Sequence, residues 1–315
     1  MAALHLRSGD IVHGKFRSIL VFGDKVIPST LARAIVSKLS AKGLATLLVG
    51  QDRATLAYLK SETGALLADD FGANEFEDQT FRAFFEMALM ARCRQIHAES
   101  SVFATISSVM GGVPLLKTKT LFSRSAAAKI ILEELKIHQS DYHPLEAAFG
   151  YQSAFRRLED RITPAQARGI IEKAAGLDPE NDVYPLKAAT SYFREKDHAS
   201  GEAILKSLMT RQFRTLAKIP LPMMQVLTGR MWRGHVMSGE FGLFFAAAKA
   251  GYPYAAACSA HILHAALGEV EPAQAMAALS LKADPANELF QQIGLSVRSA
   301  TRSEPRIDQG LRQNQ

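Results

Sequence analysis

The chain has 315 residues, enough for two domains, and 48% of them are hydrophobic, enough for a sizeable core. Its 37 basic and 31 acidic residues give a net charge of +6, but the cations are spread along the chain instead of forming a stripe. That spread argues against a nucleic-acid partner, whereas a modest positive field suits an anionic ligand such as a nucleotide phosphate.

Membrane and disulfide signals are also missing from the sequence. No apolar run is long enough to span a bilayer, and no signal peptide is visible at the start. Cys93 and Cys258 lie far apart, without CxxC or Cys/His spacing. These cysteines predict buried thiols in a reducing compartment, and therefore a cytoplasmic protein, in preference to a disulfide or a zinc site.

The first 117 residues alternate apolar runs with helical periodicity. Helices are predicted from Pro28 to Gly43, over 53–60 and 80–92, and from Ser100 or Ser101 to residue 110. Strands are predicted over residues 2–7, 44–50, 65–69, 94–98 and 113–117. This alternation predicts βαβ units and a parallel, Rossmann-like sheet.

The remainder of the chain is predicted to be helical. A long helix over 118–140 leaves the sheet, so we assign an α/β domain to 1–140 and an all-α domain to 141–298. The segments 164–181 and 272–287 echo each other, since each runs along an alanine-spaced helix into Asp-Pro. This echo is typical of degenerate tetratricopeptide-like repeats. The polar tail 299–315 is predicted to be disordered.

Polar residues follow the predicted strands, whose carboxyl ends meet at one edge of a parallel sheet. Arg7 offers a planar fork of donors for phosphate, and Gly9 permits a tight turn beside a ligand. Ser100 and Ser101 open a helix whose start favours an anion, and Asp69 or Asp70 could accept hydrogen bonds from a base or sugar. The alternative is structural: Arg7 pairs with Asp10 or Asp24, the serines cap a helix, and the aspartates form a solvated turn.

Combined in order, these stretches resemble a known family. "HLRSGD" (5–10) resembles the HxRRGD-type motif of the fucosyltransferase superfamily, which uses GDP-fucose. The resemblance continues over the first 117 residues through "LLVGQD", "LLADD", "FRAFFEMALMARC" and "IHAESSVFATISSVMGG".

The resemblance implies a GT-B-type fold in which this half is the C-terminal, nucleotide-sugar-binding domain. Arg7 would bind the donor diphosphate and stabilise the leaving GDP, which makes it the candidate catalytic residue. His5 and one of Asp69 or Asp70 would contact guanine, and Ser100 and Ser101 would bind phosphate. The family generally works without a metal, and the sequence contains no ligand cluster that argues for a metal or another cofactor.

Three departures from the family pattern give two hypotheses. Ser8 replaces the second arginine of the motif. The loop "IVHGKF" has no acidic residue to act as a base, and His13 is only a distant candidate. Met1–Leu4 stand where the family has an acceptor domain. One hypothesis is a truncated or degenerate fucosyltransferase that still binds a nucleotide sugar, with an unidentified glycan or peptide acceptor. The other is a non-catalytic helical-repeat module that binds a protein partner and carries a remnant α/β domain.

Overall fold

The structure is a computed structural model, and it describes residues 1–14, 16–214, 223–231 and 234–299. The described chain divides into two compact units, the first comprising Met1–Glu195 and the second beginning at Lys196. The tail that the sequence predicts to be disordered lies, from residue 300 onward, outside the described residues.

A five-stranded parallel sheet forms the centre of the first unit. The strands are β1 Ala2–Leu6, β2 Thr46–Gly50, β3 Leu66–Leu67, β4 Gln95–His97 and β5 Leu115–Leu116. Their spatial order is β3-β2-β1-β4-β5, and every pairing is parallel. All residues of β1 are buried, because helices cover both faces of such a sheet. The predicted parallel sheet is therefore confirmed.

The helices between the strands begin and end at residues suited to those positions. The helices are α1 Gly9–Val12, α2 Ala32–Ser40, α3 Arg53–Thr63, α4 Gln79–Ala91 and α5 Val102–Gly111. Asp52, Asp78 and Ser101 accept backbone N–H groups at the starts of α3, α4 and α5. Gly64 ends α3 in the left-handed region, at φ 67°.

The α4 helix matches its predicted position, but two of its aromatic side chains lie outward. Phe81 and Phe84 are 63% and 57% exposed. Met87 and Met90 are buried, and Met90 and Leu89 pack with the core cluster of β1, β2 and β4. Periodicity predicts that a helix forms, whereas the sheet decides which side of that helix is buried.

Four helices after the sheet belong to the same compact unit, although the sequence placed a domain boundary at 140/141. The reason is that Phe149 packs with Ile11, Val12 and Val26, which come from the segment following β1. The four helices are α6 Arg124–His138, α7 Pro144–Leu158, α8 Pro164–Leu177 and α9 Val183–Arg194. Among them, α6 packs on α7, α7 on α8 and α8 on α9.

The second unit is mainly helical. Its helices are α10 His198–Arg214, α11 Met223–Thr228, α12 Phe241–Lys249, α13 Pro253–His261, α14 Val270–Ala283 and α15 Glu288–Ser299. Residues 255–260 of α13 are all buried, and α13 packs on both α12 and α14. Two short strands, β6 Arg230–Met231 and β7 Gly234–His235, pair antiparallel.

The two echoing segments share a local backbone geometry. Asp178 ends α8 at φ −134° and ψ 75°, and Asp284 ends α14 at φ −148° and ψ 89°. Each aspartate donates its N–H to the carbonyl four residues earlier. The sequence echo therefore corresponds to a repeated helix end. Within the described ranges, no helix is long and apolar enough to cross a membrane.

Candidate ligand-binding site at the sheet edge

The strand order places a crevice beyond the carboxyl ends of β1 and β4. Successive strands run outward in one direction from β1 to β3 and in the other from β4 to β5. Ligands of open α/β sheets bind at such a switch point. A cavity of about 830 Å³ opens at this edge, and we call it the sheet-edge pocket.

Four of the seven predicted site residues line the sheet-edge pocket: His5, Arg7, Asp69 and Ser101. The first two come from β1 and its following loop, the third follows β3, and Ser101 precedes α5. The topology thus brings together residues that are far apart in the sequence. Gly9, Asp70 and Ser100 are absent from the lining.

His5 forms the aromatic wall of the sheet-edge pocket together with Phe103. The two rings are stacked, with centroids 5.4 Å apart and an interplanar angle of 15°. Burial, and secondarily the positive charge of Arg7, lowers the pKa of His5 to about 4. His5 is therefore neutral at pH 7. Phe103 is a site residue that the sequence reasoning missed, although it lies within the quoted stretch at the start of α5.

Arg7 is only weakly held by the protein. A guanidinium nitrogen lies 3.6 Å from a carboxylate oxygen of Asp10, and the two side chains are 31% and 48% exposed. The other predicted structural partner, Asp24, pairs instead with Arg156 at 3.1 Å. A loose and partly exposed pair costs little to rearrange, so the Arg7 fork can turn toward a ligand.

Arg82 is a second cation in the sheet-edge pocket that the sequence reasoning missed. Its guanidinium contacts Asp69 at 2.6 Å and Glu86 at 3.1 Å, and it donates to the carbonyl of Ala73 at 3.1 Å. Burial raises the pKa of Glu86. Counted over the lining, three cations (Arg7, Arg53 and Arg82) face three carboxylates (Asp10, Asp69 and Glu86).

The remaining predicted residues have local structural partners. Asp70 accepts the N–H of Leu67 at 2.9 Å and pairs with Lys60, and these contacts lower the pKa of Asp70. Ser100 accepts from Lys117 at 3.3 Å. Ser101 caps α5 by accepting the N–H of Ala104 at 3.3 Å, so capping and pocket lining coincide in this serine.

The backbone conformation at position 9 explains why a glycine stands there. Gly9 starts the short helix α1 at a φ of 27°, where a side chain would be strained. The side chain of Gln51, a pocket-lining residue, lies directly against it. Gly9 therefore shapes the loop that carries Arg7.

A histidine–carboxylate cluster lies outside the pocket lining. His13 Nε2 is 3.0 Å from Glu146 and 3.7 Å from Asp52, and single ligand atoms of the three residues fall within 4.8 Å of one another. This spacing could hold a cation. However, Ser29 donates to the buried Glu146 at 2.8 Å, and Asp52 accepts from Thr55 at 2.7 Å.

Protonation of His13 is enough to satisfy this cluster. The hydrogen bond to Glu146 is the main cause that raises the pKa of His13, which favours an imidazolium between the two carboxylates. The cluster therefore ties the segment after β1 to α7. His13, which the sequence offered as a distant candidate base, is engaged in this structural role.

Comparisons of the chain with protein-family models, with curated proteins and with solved structures found no match.

Proposed function

We propose that the first unit binds a nucleotide sugar, GDP-fucose, in the sheet-edge pocket, and that the chain is a glycosyltransferase-like protein. The observation that carries this proposal is the convergence of His5, Arg7, Asp69 and Ser101 on one cavity at the switch point of the sheet. The volume of about 830 Å³ lies within the range of small-molecule sites, roughly 300–1,000 Å³.

The pocket offers a distinct contact for each part of the donor. The His5–Phe103 stack provides an aromatic surface for the base, and Asp69 provides a carboxylate acceptor for the N–H groups of guanine. Arg7 and the first turn of α5 would bind the diphosphate, because a guanidinium fork and a helix start both favour phosphate oxygens.

In a transfer reaction, Arg7 would also stabilise the charge that builds up on the departing GDP. The acceptor hydroxyl would need a base as well. Asp10, the exposed carboxylate beside Arg7, would be the candidate for that base. His13 is a poorer candidate, because it is already hydrogen-bonded to Glu146. Donor binding is therefore the core of the proposal, and transfer to an acceptor is its extension.

Calorimetric titration with GDP tests donor binding directly, supported by melting temperatures at rising GDP concentration. Removal of a charged hydrogen-bonding group costs about 1.5–3 kcal/mol, so Arg7→Ala should weaken GDP binding by about tenfold or more. Arg94→Ala, an exposed arginine preceding β4 at the opposite sheet edge, is the matched control and should bind GDP normally. The absence of binding at millimolar GDP, or equal affinity in Arg7→Ala, would overturn the proposal.

The alternative function, a non-catalytic interaction module, is favoured by one observation in the second unit. Helices α12 to α15 each pack on the next along the chain, and adjacent helices α14 and α15 expose Leu279 and Leu295 by 44% and 61%. Stacked helix pairs with apolar surface suit a protein partner. This function requires no GDP binding, so the titration that tests the donor site also separates the two functions.

A further inference from the structure

A second cavity of about 490 Å³ lies in the first unit, and it shares no lining residue with the sheet-edge pocket. We call it the arginine pocket. Its walls come from the loop near Asp24, from Glu99 after β4, from Thr118 after β5, and from α6 and α7. Four cationic side chains line it, namely Lys119, Arg124, Arg156 and Arg157.

The two carboxylates of the arginine pocket do not balance these cations. Asp24 pairs with Arg156 at 3.1 Å. Glu99 accepts from the N–H of Thr118 at 3.2 Å and from the Thr118 hydroxyl, and it lies 3.9 Å from Lys117 outside the lining. The pocket therefore holds a surplus of two positive charges.

Arg157 shows where this surplus is concentrated. Its hydrogen bonds go to the carbonyl of Ser153, at 2.9 Å, and to the Ser153 hydroxyl. Among the described residues, Glu99 and Asp24 act on Arg157 through longer-range charge and raise its pKa, but burial, followed by the charge of Arg156, lowers that pKa more. A half-buried cation that has only these more distant carboxylates is incompletely compensated, and a bound anion would lower the free-energy cost.

We propose that the arginine pocket binds a phosphate group, with the guanidinium groups of Arg157 and Arg124 as its principal donors and Lys119 as a further charge. Two planar forks can bind phosphate oxygens bidentately, and lysine adds a point charge. The cavity has room for more than a free ion, so a phosphate monoester of a small sugar is the ligand class that fits it. The proposal does not rest on GDP binding, since the two linings are separate.

Calorimetric titration with inorganic phosphate and with glucose 6-phosphate, at low salt, tests this site. We expect binding of both, weakening as salt increases, and loss of about tenfold or more in affinity in Arg157→Gln. Tighter binding of glucose 6-phosphate than of inorganic phosphate would identify a phosphate monoester as the ligand class. Equal binding would restrict the site to free phosphate and overturn the assignment of a sugar phosphate.

Melting temperature without ligand distinguishes a binding role of Arg157 from a structural one. A residue that only holds the fold would destabilise the protein when replaced, whereas an incompletely compensated cation should leave the melting temperature of Arg157→Gln equal or higher. Arg124→Gln, at an exposed position, is a second variant that should also lose phosphate affinity. Arg161→Gln, near the end of α7 but outside the lining, should retain it. No binding of either probe at millimolar concentration, or full affinity in both pocket variants, would overturn the proposal.

Discussion

The sheet-edge pocket and the arginine pocket both open beyond the carboxyl ends of parallel strands, but they differ in charge. In the sheet-edge pocket three cations face three carboxylates, and Arg82 contacts both Asp69 and Glu86. In the arginine pocket four cations face two carboxylates. Arg157, moreover, hydrogen-bonds to Ser153 and not to an acid.

This difference separates two ways of recognising an anionic ligand. Where arginines already have carboxylate partners, an anion gains little from charge alone, and selectivity comes from stacking and from hydrogen bonds to the whole ligand. Where cations outnumber carboxylates, as in the arginine pocket, the anion itself completes the charge balance, and binding follows charge and salt concentration. The first arrangement suits a nucleotide with a base to read, and the second suits a phosphate group.

The largest expected effect comes from lowering the pH, which should change the charge of the sheet-edge pocket through His5. His5 does not line the arginine pocket. The folded protein keeps His5 neutral down to a pH of about 4, whereas an ordinary histidine protonates at 6.5. Between these values the unfolded chain binds more protons at position 5, so the contribution of His5 to the free energy of unfolding falls as the pH decreases from 6.5 to 4. That contribution is about 3 kcal/mol, measured by urea unfolding across this range as the difference between the native protein and His5→Phe.

His5→Phe provides the check on this acid effect. The phenyl ring can still stack on Phe103 but cannot be protonated, so the decline of stability between pH 6.5 and 4 should be shallower than in the native protein. An identical decline in both proteins would place the acid sensitivity elsewhere in the chain.

The sequence predicts the framework of the sheet-edge pocket well, since local patterns determine it. Buried apolar runs predict parallel strands, and parallel strands bring their post-strand residues to one edge. His5, Arg7 and Asp69 reach the pocket for this reason. Asp70 does not, because the strand after Gly64 is only Leu66–Leu67, and a 3₁₀ turn directs Asp70 back toward Leu67.

The charge balance of each pocket could not be predicted from the sequence. Asp69 lies in the 3₁₀ turn after β3 and Arg82 in α4, and no local sequence pattern predicts that they pair. The arginine pocket combines Asp24, Glu99, Arg124 and Arg157, which are far apart in the sequence and meet in the folded unit, where α7 packs on the segment after β1. Pairings between distant side chains depend on tertiary packing, which periodicity does not encode.

Glycines beside the two pockets should differ in their tolerance of a methyl group. At Gly50, which ends β2, an added Cβ would lie 2.6 Å from the backbone oxygen of Leu6, its partner in the β1–β2 register. Neither strand can move freely, so Gly50→Ala should lower the free energy of unfolding by about 1–3 kcal/mol and weaken GDP binding.

Gly23 is the matched control in the arginine pocket. A Cβ there would lie 2.9 Å from Nη1 of Arg156, which also contacts Asp24 and the carbonyl of Leu20. This contact is the end of a long side chain, which can shift by a few tenths of an ångström more easily than strand backbone can. Gly23→Ala should therefore keep its stability within about 0.5 kcal/mol. Chemical denaturation of both variants measures the difference, and equal losses would show that the edge between β1 and β2 is no more rigid than the arginine pocket.

Exchanging the charge balance of the two pockets should produce the smallest effect but test the comparison most directly. Glu86→Gln leaves the sheet-edge pocket with three cations and two carboxylates, whereas Lys119→Glu leaves the arginine pocket with three of each. Partly exposed charges contribute roughly 0.2–1 kcal/mol, so GDP affinity should rise, and phosphate affinity should fall, by a few-fold. Lys129→Glu, exposed on α6, changes net charge as Lys119→Glu does but lies outside both linings. If it alters phosphate affinity as strongly as Lys119→Glu, binding depends on the net charge of the molecule and not on the side chains that face each cavity.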